Sequence, residues 1–184
     1  KTYNLLMKRK LKYILSLSAK FTYFETARIL HSRNQLSRII CGYPWFKLRN
    51  ENIPKRFVSS HGIYNILKYP FLSIEFAKKY LDFFGILNKK NIDKQTLKII
   101  EKNNDYDVLL GLAGVALQSA KKVLDKKKIF ICERSSSEIG YQNILLADEY
   151  KICDRNYKTT NSWFIDNEQK EYELADIILT PSNF

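Results

Sequence analysis

The densest set of groups able to do chemistry is Glu133-Arg134-Ser135-Ser136-Ser137-Glu138, which follows the apolar run Ile129-Phe130-Ile131-Cys132. A guanidinium beside three hydroxyls could hold a phosphate, or the hydroxyls of a sugar, where a strand gives way to a helix. The same residues also make an ordinary helix start, with one of Ser135 to Ser137 as N-cap and Glu138 in the first turn. Arg134 has two readings as well: a clamp for phosphate or carboxylate, or a core ion-pair partner of Glu133. The sequence leaves both choices open.

Gly111-Leu112-Ala113-Gly114 closes another apolar run. Its glycines have the spacing of a tight strand-to-helix turn that a ligand can approach closely, and a turn that simply needs glycine conformations is the plainer reading. Ser18-Ala19-Lys20-Phe21 follows the first apolar run and lacks glycine. It is therefore no G-x-G-x-x-G loop and offers no tight seat for a pyrophosphate. Thr180-Pro181-Ser182 follows the last run. His31 and His61 stand alone in sequence and read as structural. The sequence has no Cys/His metal spacing, P-loop or nucleophile elbow.

These loops need elements to hold them. Strands are expected over Leu11–Ser18, Leu36–Pro44, Arg56–Ser60, Asp105–Gly114, Lys128–Ser136 and Asp176–Ser182. Helical spacing runs through Tyr23–Arg33, with Thr22 as N-cap and Glu25 completing a capping box. One helix is expected between Tyr64 and Leu87, starting near Pro70 or Phe71, because proline fits a first turn. A separate amphipathic helix is expected over Asn91–Asn103. Further helices lie in "VALQSAKKVLDKKK", "YQNILLADEYKI" and "IDNEQKEYELA". Continuous apolar strands alternating with helices predict an α/β fold: a Rossmann-like, doubly wound, mainly parallel sheet with helices on both faces. In such sheets ligands bind beyond the carboxyl ends of the strands, which selects the four loops above.

The chain has 184 residues, enough for one domain with a substantial core, and its 45% apolar content excludes intrinsic disorder. Residues 1–10 form a basic extension that lacks the long apolar run and cleavage site of a signal peptide. No apolar stretch reaches the roughly 18 residues of a membrane span. A net charge of +12 favours an anionic partner. Lysines interleaved with bulky apolar residues in "KYPFLSIEFAKKYLDFFGILNKK" read either as an interfacial helix on an anionic membrane surface or as a core helix with solvated lysines. A nucleic-acid partner is not expected, because lysine dominates the charge and no groove-reading motif is present. Cys41 and Cys132 lie in apolar runs and, with Cys153, make an odd number; this favours buried reduced thiols in a cytoplasmic protein.

Three segments resemble the N-terminal domain of a retaining GT-B glycosyltransferase of glycosyltransferase family 4, the "group 1" glycosyltransferases. "FTYFETARILHSRNQLSRIICGYPWFKL" is similar to the first helix and second strand of a bacterial branch. "YDVLLGLAGVALQSAKKV" is similar to its mid-domain strand, loop and helix. "ICERSSSEIGYQNILLADEY" with "EYELADIILTPSNF" resembles the closing stretch, which carries the pattern E-x-x-x-AD-x-I-x-x-PS-x-F. The resemblance covers nearly all of residues 11–184. It implies the acceptor-side half of a metal-independent hexosyltransferase-type enzyme in polysaccharide or cell-envelope biosynthesis, with a nucleotide-sugar as donor and no cofactor. The acceptor would be a glycan or lipid, at the cytoplasmic face of the inner membrane. The donor half, with its E-x7-E motif, would follow Phe184, so this piece is expected to be truncated and inactive alone. The resemblance places Ser18, Ala19, Lys20, Phe21, Gly111, Gly114, Arg134, Ser135 and Ser136 at the acceptor cleft. Related enzymes often carry a histidine after the "ERSS"-like loop; here Glu138 stands in that region, as the candidate catalytic group. The alternative is a non-catalytic, basic Rossmann-like binding module on a membrane surface or protein partner.

Overall fold

The computed structural model describes residues 10–18, 20, 22–72 and 80–181, with backbone only for 68–72. The basic extension therefore lies outside the described residues except for Lys10, as do the middle of the lysine- and aromatic-rich segment and the end of the Pro-Ser-x-Phe pattern.

Among the described residues, apolar runs become the strands β1 (Tyr13–Leu17), β2 (Leu36–Cys41), β4 (Val108–Leu112), β5 (Ile129–Glu133) and β6 (Ile177–Leu179), and the short Val-Ser-Ser segment becomes β3 (Val58–Ser60). They form one all-parallel sheet in the order β3-β2-β1-β4-β5-β6, the order of a Rossmann-like fold. The fold class is thus the expected one, and stricter, since no antiparallel strand joins in among the described residues. β1 and β4 are buried on both faces, and their continuous apolar character follows from that.

Among the described residues six α-helices accompany the strands: α1 (Tyr23–Ser32), α2 (Ile63–Leu72), α3 (Leu81–Lys102), α4 (Leu117–Asp125), α5 (Ile139–Ile152) and α6 (Ser162–Leu174). β2 lies to one side of β1 and β5 to the other side of β4. Right-handed crossovers therefore put α1 on one face of the sheet and α4 on the other. α3 packs along α4, and α6 also packs on α4. The core is made where these layers meet the central strands, around Ile14, Leu15, Ile39, Leu109 and Phe130. Ser16 is the one polar inward residue of β1, and its hydroxyl shares a 2.8 Å hydrogen bond with Thr96 of α3.

Several local expectations fail for physical reasons. The helix expected to start near Pro70 starts at Ile63 and holds Pro70 near its end. The helix expected over Asn91–Asn103 is continuous with Leu81 through Gly85, Asn88 and Asn91. Tertiary packing overrides these poor helix formers. Gly85 faces the Phe164 ring, where a Cβ would lie 3.2 Å from Cζ, and the Asn88 side chain is buried beneath β1. Thr22 is no capping box: its φ and ψ are −75° and −5°, and its side chain caps nothing. Its backbone carbonyl instead accepts the N–H of Glu25 at 2.9 Å. The strand expected over Arg56–Ser60 is preceded by a 3-10 turn at Lys55–Phe57 and pairs only over Val58–Ser60.

Candidate functional site

Leu112 of β4, Glu133 of β5 and Leu179 of β6 pair side by side, so the loops after these strands leave the sheet at one level. β1 ends beside β4, with Ser16 opposite Gly111. Chain direction reverses its progress across the sheet between β1 and β4, and the resulting crevice is where open α/β sheets take ligands.

Ser18 sits at the end of β1. Its carbonyl accepts the side-chain amides of Asn65 (3.3 Å) and Asn88 (3.5 Å), which tie it to α2 and α3. Lys20 is held by the nearly buried Glu51, which also takes Arg28 at 3.2 Å. Ala19 and Phe21 lie outside the described residues. Tyr23, in the first turn of α1, is buried with its hydroxyl near Glu133; burial, and then the Glu133 charge, push its phenol well up.

Gly111 lies inside β4, where a Cβ would come within 2.9 Å of Ala116 Cβ. Gly114 has φ +89°, a conformation that only glycine adopts at little cost, and a Cβ there would meet Lys89 Nζ at 2.1 Å. The loop between them and α4 is closed from within. Glu171 of α6 accepts the N–H of Gly114 at 2.6 Å and of Ala116 at 2.8 Å, and the Asn167 amide at 3.2 Å. Burial pushes the Glu171 carboxyl up to about 7 against the pull of those amides. Asp93 of α3 accepts the N–H of Gln118 and Ser119 and the Ser119 hydroxyl. Burial raises Asp93 as well. The start of α4, where a phosphate would otherwise find free amides, is occupied by two of the protein's own carboxylates.

Arg134 is also spent internally. Its Nη1 pairs with Glu168 Oε2 at 3.0 Å, Nη2 donates to Gln142 Oε1 at 2.9 Å, and Nε donates to the Ser137 carbonyl at 2.9 Å. Its core partner is Glu168 of α6, and this replaces the Glu133 pairing weighed from sequence. The 1% exposed Glu168 also takes Lys89 at 3.1 Å and the Tyr172 hydroxyl at 3.1 Å. Burial, and then the Glu168 charge, raise the Tyr172 phenol; burial first, then Glu171 and Glu168, raise the Cys132 thiol. A buried network of Lys89, Glu168, Arg134, Tyr172 and Glu171 thus lies directly under the crevice and fixes the loops after β4 and β5.

Glu138, the candidate catalytic group, is itself the N-cap of α5 and accepts the Tyr141 N–H at 2.7 Å. The capping role expected of a serine has gone to this carboxylate. Slight burial works against its charge, but the N–H groups of Gly140 and Tyr141, then Gln169 and Arg134, outweigh it and hold the carboxyl below its ordinary range. Ser135 is exposed and Ser136 half-buried, with only a 3.5 Å bond from Ser136 Oγ to the Ser137 carbonyl. These two hydroxyls, with Ser18 and the half-exposed Lys20, are the groups left to meet a ligand.

Sequence reasoning missed Lys89, Glu168 and Glu171. The available signal was in "IDNEQKEYELA": Glu168, Glu171 and Tyr172 share one helical face at spacings of three and four, and that face turns inward. The closing pattern is explained by the same contacts. Its glutamate is Glu171 and its aspartate Asp176, whose Oδ2 accepts the Phe130 N–H at 2.8 Å and fastens the start of β6 to β5. Among the described residues no three His, Cys, Asp or Glu side chains converge on a metal position. No described helix is long and apolar enough to cross a membrane. Cys41 and Cys132 are buried and all three cysteines are free. No protein-family model matches the chain, and no curated protein matches it significantly. What stands is a Rossmann-like α/β domain with a preorganised crevice.

Proposed function

We propose that this chain is the acceptor-binding half of a retaining GT-B glycosyltransferase of family 4, working on a glycan or lipid acceptor with a nucleotide-sugar donor. The observation that carries the reading is the closing pattern in its structural setting: its Glu171 holds the β4–α4 loop at the crevice, while its Asp176 fastens the amino end of β6 to β5. A pattern whose glutamate positions the rim fits a substrate-binding half. The hydroxyls of Ser135 and Ser136 are the groups offered to acceptor hydroxyls, and Lys20 is the cation nearest the β1 end. Glu138 is consumed by capping, so in this reading it positions the Ser135–Ser137 loop and carries no proton transfer. Stabilisation of the departing nucleotide phosphate falls to the donor half, by preorganised positive groups.

A second feature supports a partner half. β6 is an edge strand with Ile177, Ile178 and Leu179 all more than 40% exposed, and α5 presents Ile144 and Ile152 to solvent. Such an apolar edge is suited to cover by another domain. The test is amide NMR on the 184-residue chain titrated with oligosaccharides and, separately, with nucleotide-sugars. Glycan should shift Ser18, Gly114, Ser135 and Ser136, and Ser136→Trp should abolish the shifts without unfolding. Tight nucleotide-sugar binding, or glycan shifts confined to another face, would overturn the assignment.

A further inference from the structure

A cleft of about 450 Å³ opens between β2, β3 and the C-terminal half of α3, lined by Arg38, Ser59, His61, Gln95, Lys98 and Lys102 among others. It lies on the β2–β3 side of the sheet, away from the β1–β4 crevice: Arg38 pairs with Ile14, three residues short of the end of β1 at Leu17, while His61 reaches the carboxyl ends, its N–H bonded to the Cys41 carbonyl. Four of its side chains are cationic or can become so, and no carboxylate lines it. Like charges held around a concave, partly desolvated wall focus a positive potential into it. One Arg38 nitrogen donates to the Arg56 carbonyl, and Nε is buried without a protein acceptor among the described residues, so the Nη end is the part a ligand in the cleft could meet. There an oxyanion can replace water in a charge-assisted hydrogen bond.

We propose that this cleft binds the phosphate group of a small phosphorylated ligand. Arg38 supplies a guanidinium donor, Lys98 and Lys102 supply charge from α3, and Ser59 supplies a hydroxyl from β3. His61, after β3, completes the wall. Burial, and then the Lys98 ammonium, hold its imidazole below the ordinary range. A bound dianion would offset Lys98, so occupancy and protonation of His61 are coupled, and each favours the other.

The test uses inorganic pyrophosphate as probe, amide and imidazole NMR as readout, and vesicles containing phosphatidic acid as a second arm. Saturable shifts at Arg38, His61 and Lys98 below about 10 mM, with the His61 titration moving to higher pH, are expected. Lys98 and Lys102 are exposed, so their glutamine variants should fold. Each should weaken binding about tenfold, while Lys151→Gln on α5 should leave it unchanged. Vesicle binding that needs Lys98 and Lys102, without pyrophosphate binding, assigns the phosphate to a lipid headgroup. Absence of binding in both arms, or equal loss in the Lys151 variant, overturns the proposal.

Discussion

Replacing Glu168 by glutamine should be among the most damaging isosteric changes in this domain. The carboxylate is 1% exposed and is the shared counter-charge of Lys89 at 3.1 Å and Arg134 at 3.0 Å. The side chains of those cations are themselves only 18% and 17% exposed, so water cannot take over. Glutamine keeps one acceptor oxygen but turns an amide NH2 toward a donor, and it leaves two largely buried cations without a negative partner. Removing one member of a buried ion pair costs about 3–5 kcal/mol, and slight solvent access of the cations argues for the lower end, about 3 kcal/mol. Urea denaturation at neutral pH reads this as a lowered midpoint at unchanged slope. Combining Glu168→Gln with Lys89→Met should recover part of the loss, because one stranded charge is gone. A single variant that loses less than about 1 kcal/mol, or a double variant with strictly additive losses, would refute the idea that this network holds the site.

Glu171 makes stability depend on pH. Its folded-state value of about 7 lies above the ordinary 4.5, so its contribution is full below about 4.5 and is lost as pH rises through 7, on the order of 3 kcal/mol. Glu171→Gln should flatten the stability profile between about pH 4.5 and 7, and an unchanged slope in denaturation series would exclude this. Gly114→Ala should cost about 2 kcal/mol, from the positive φ and from displacing the Lys89 ammonium; a neutral result would show that the loop relaxes freely. Asp93→Asn replaces one acceptor oxygen at the start of α4 by a donor and should lower stability by about 1–2 kcal/mol in the same assay. No loss would mean that Asp93 does not cap α4.

Most strands were legible because they are short apolar runs closed by small or polar residues, as in "DVLLGLAG", and burial of β1 and β4 on both faces demands such runs; β3 has one apolar residue, Val58, and was the weakest candidate. The order of the strands, β3-β2-β1-β4-β5-β6, was not read from the sequence. The inward polar residues were not legible. Asn88, Asp93, Glu168 and Glu171 look like solvent-facing helix residues in isolation, and only contacts 25 to 79 residues away in sequence turn them inward. The same blindness produced the false break between α3's two halves. At the site, Ser18, Gly114 and Arg134 were singled out correctly as residues of the strand ends. Their roles were set by partners on α2, α3 and α6 that no local pattern announces.

The central claim is that this crevice receives the acceptor of a sugar transfer. The direct measurement is transfer of radiolabelled sugar from nucleotide-sugars to glycan and lipid extracts by the chain fused to the donor half of a GT-B glycosyltransferase, with Ser135→Trp and Ser136→Trp as crevice variants. Transfer in the parent protein, abolished in both variants at unchanged melting temperature and absent from the 184-residue chain alone, is the predicted result. Full transfer in the variants, or no transfer with any donor, would contradict the account.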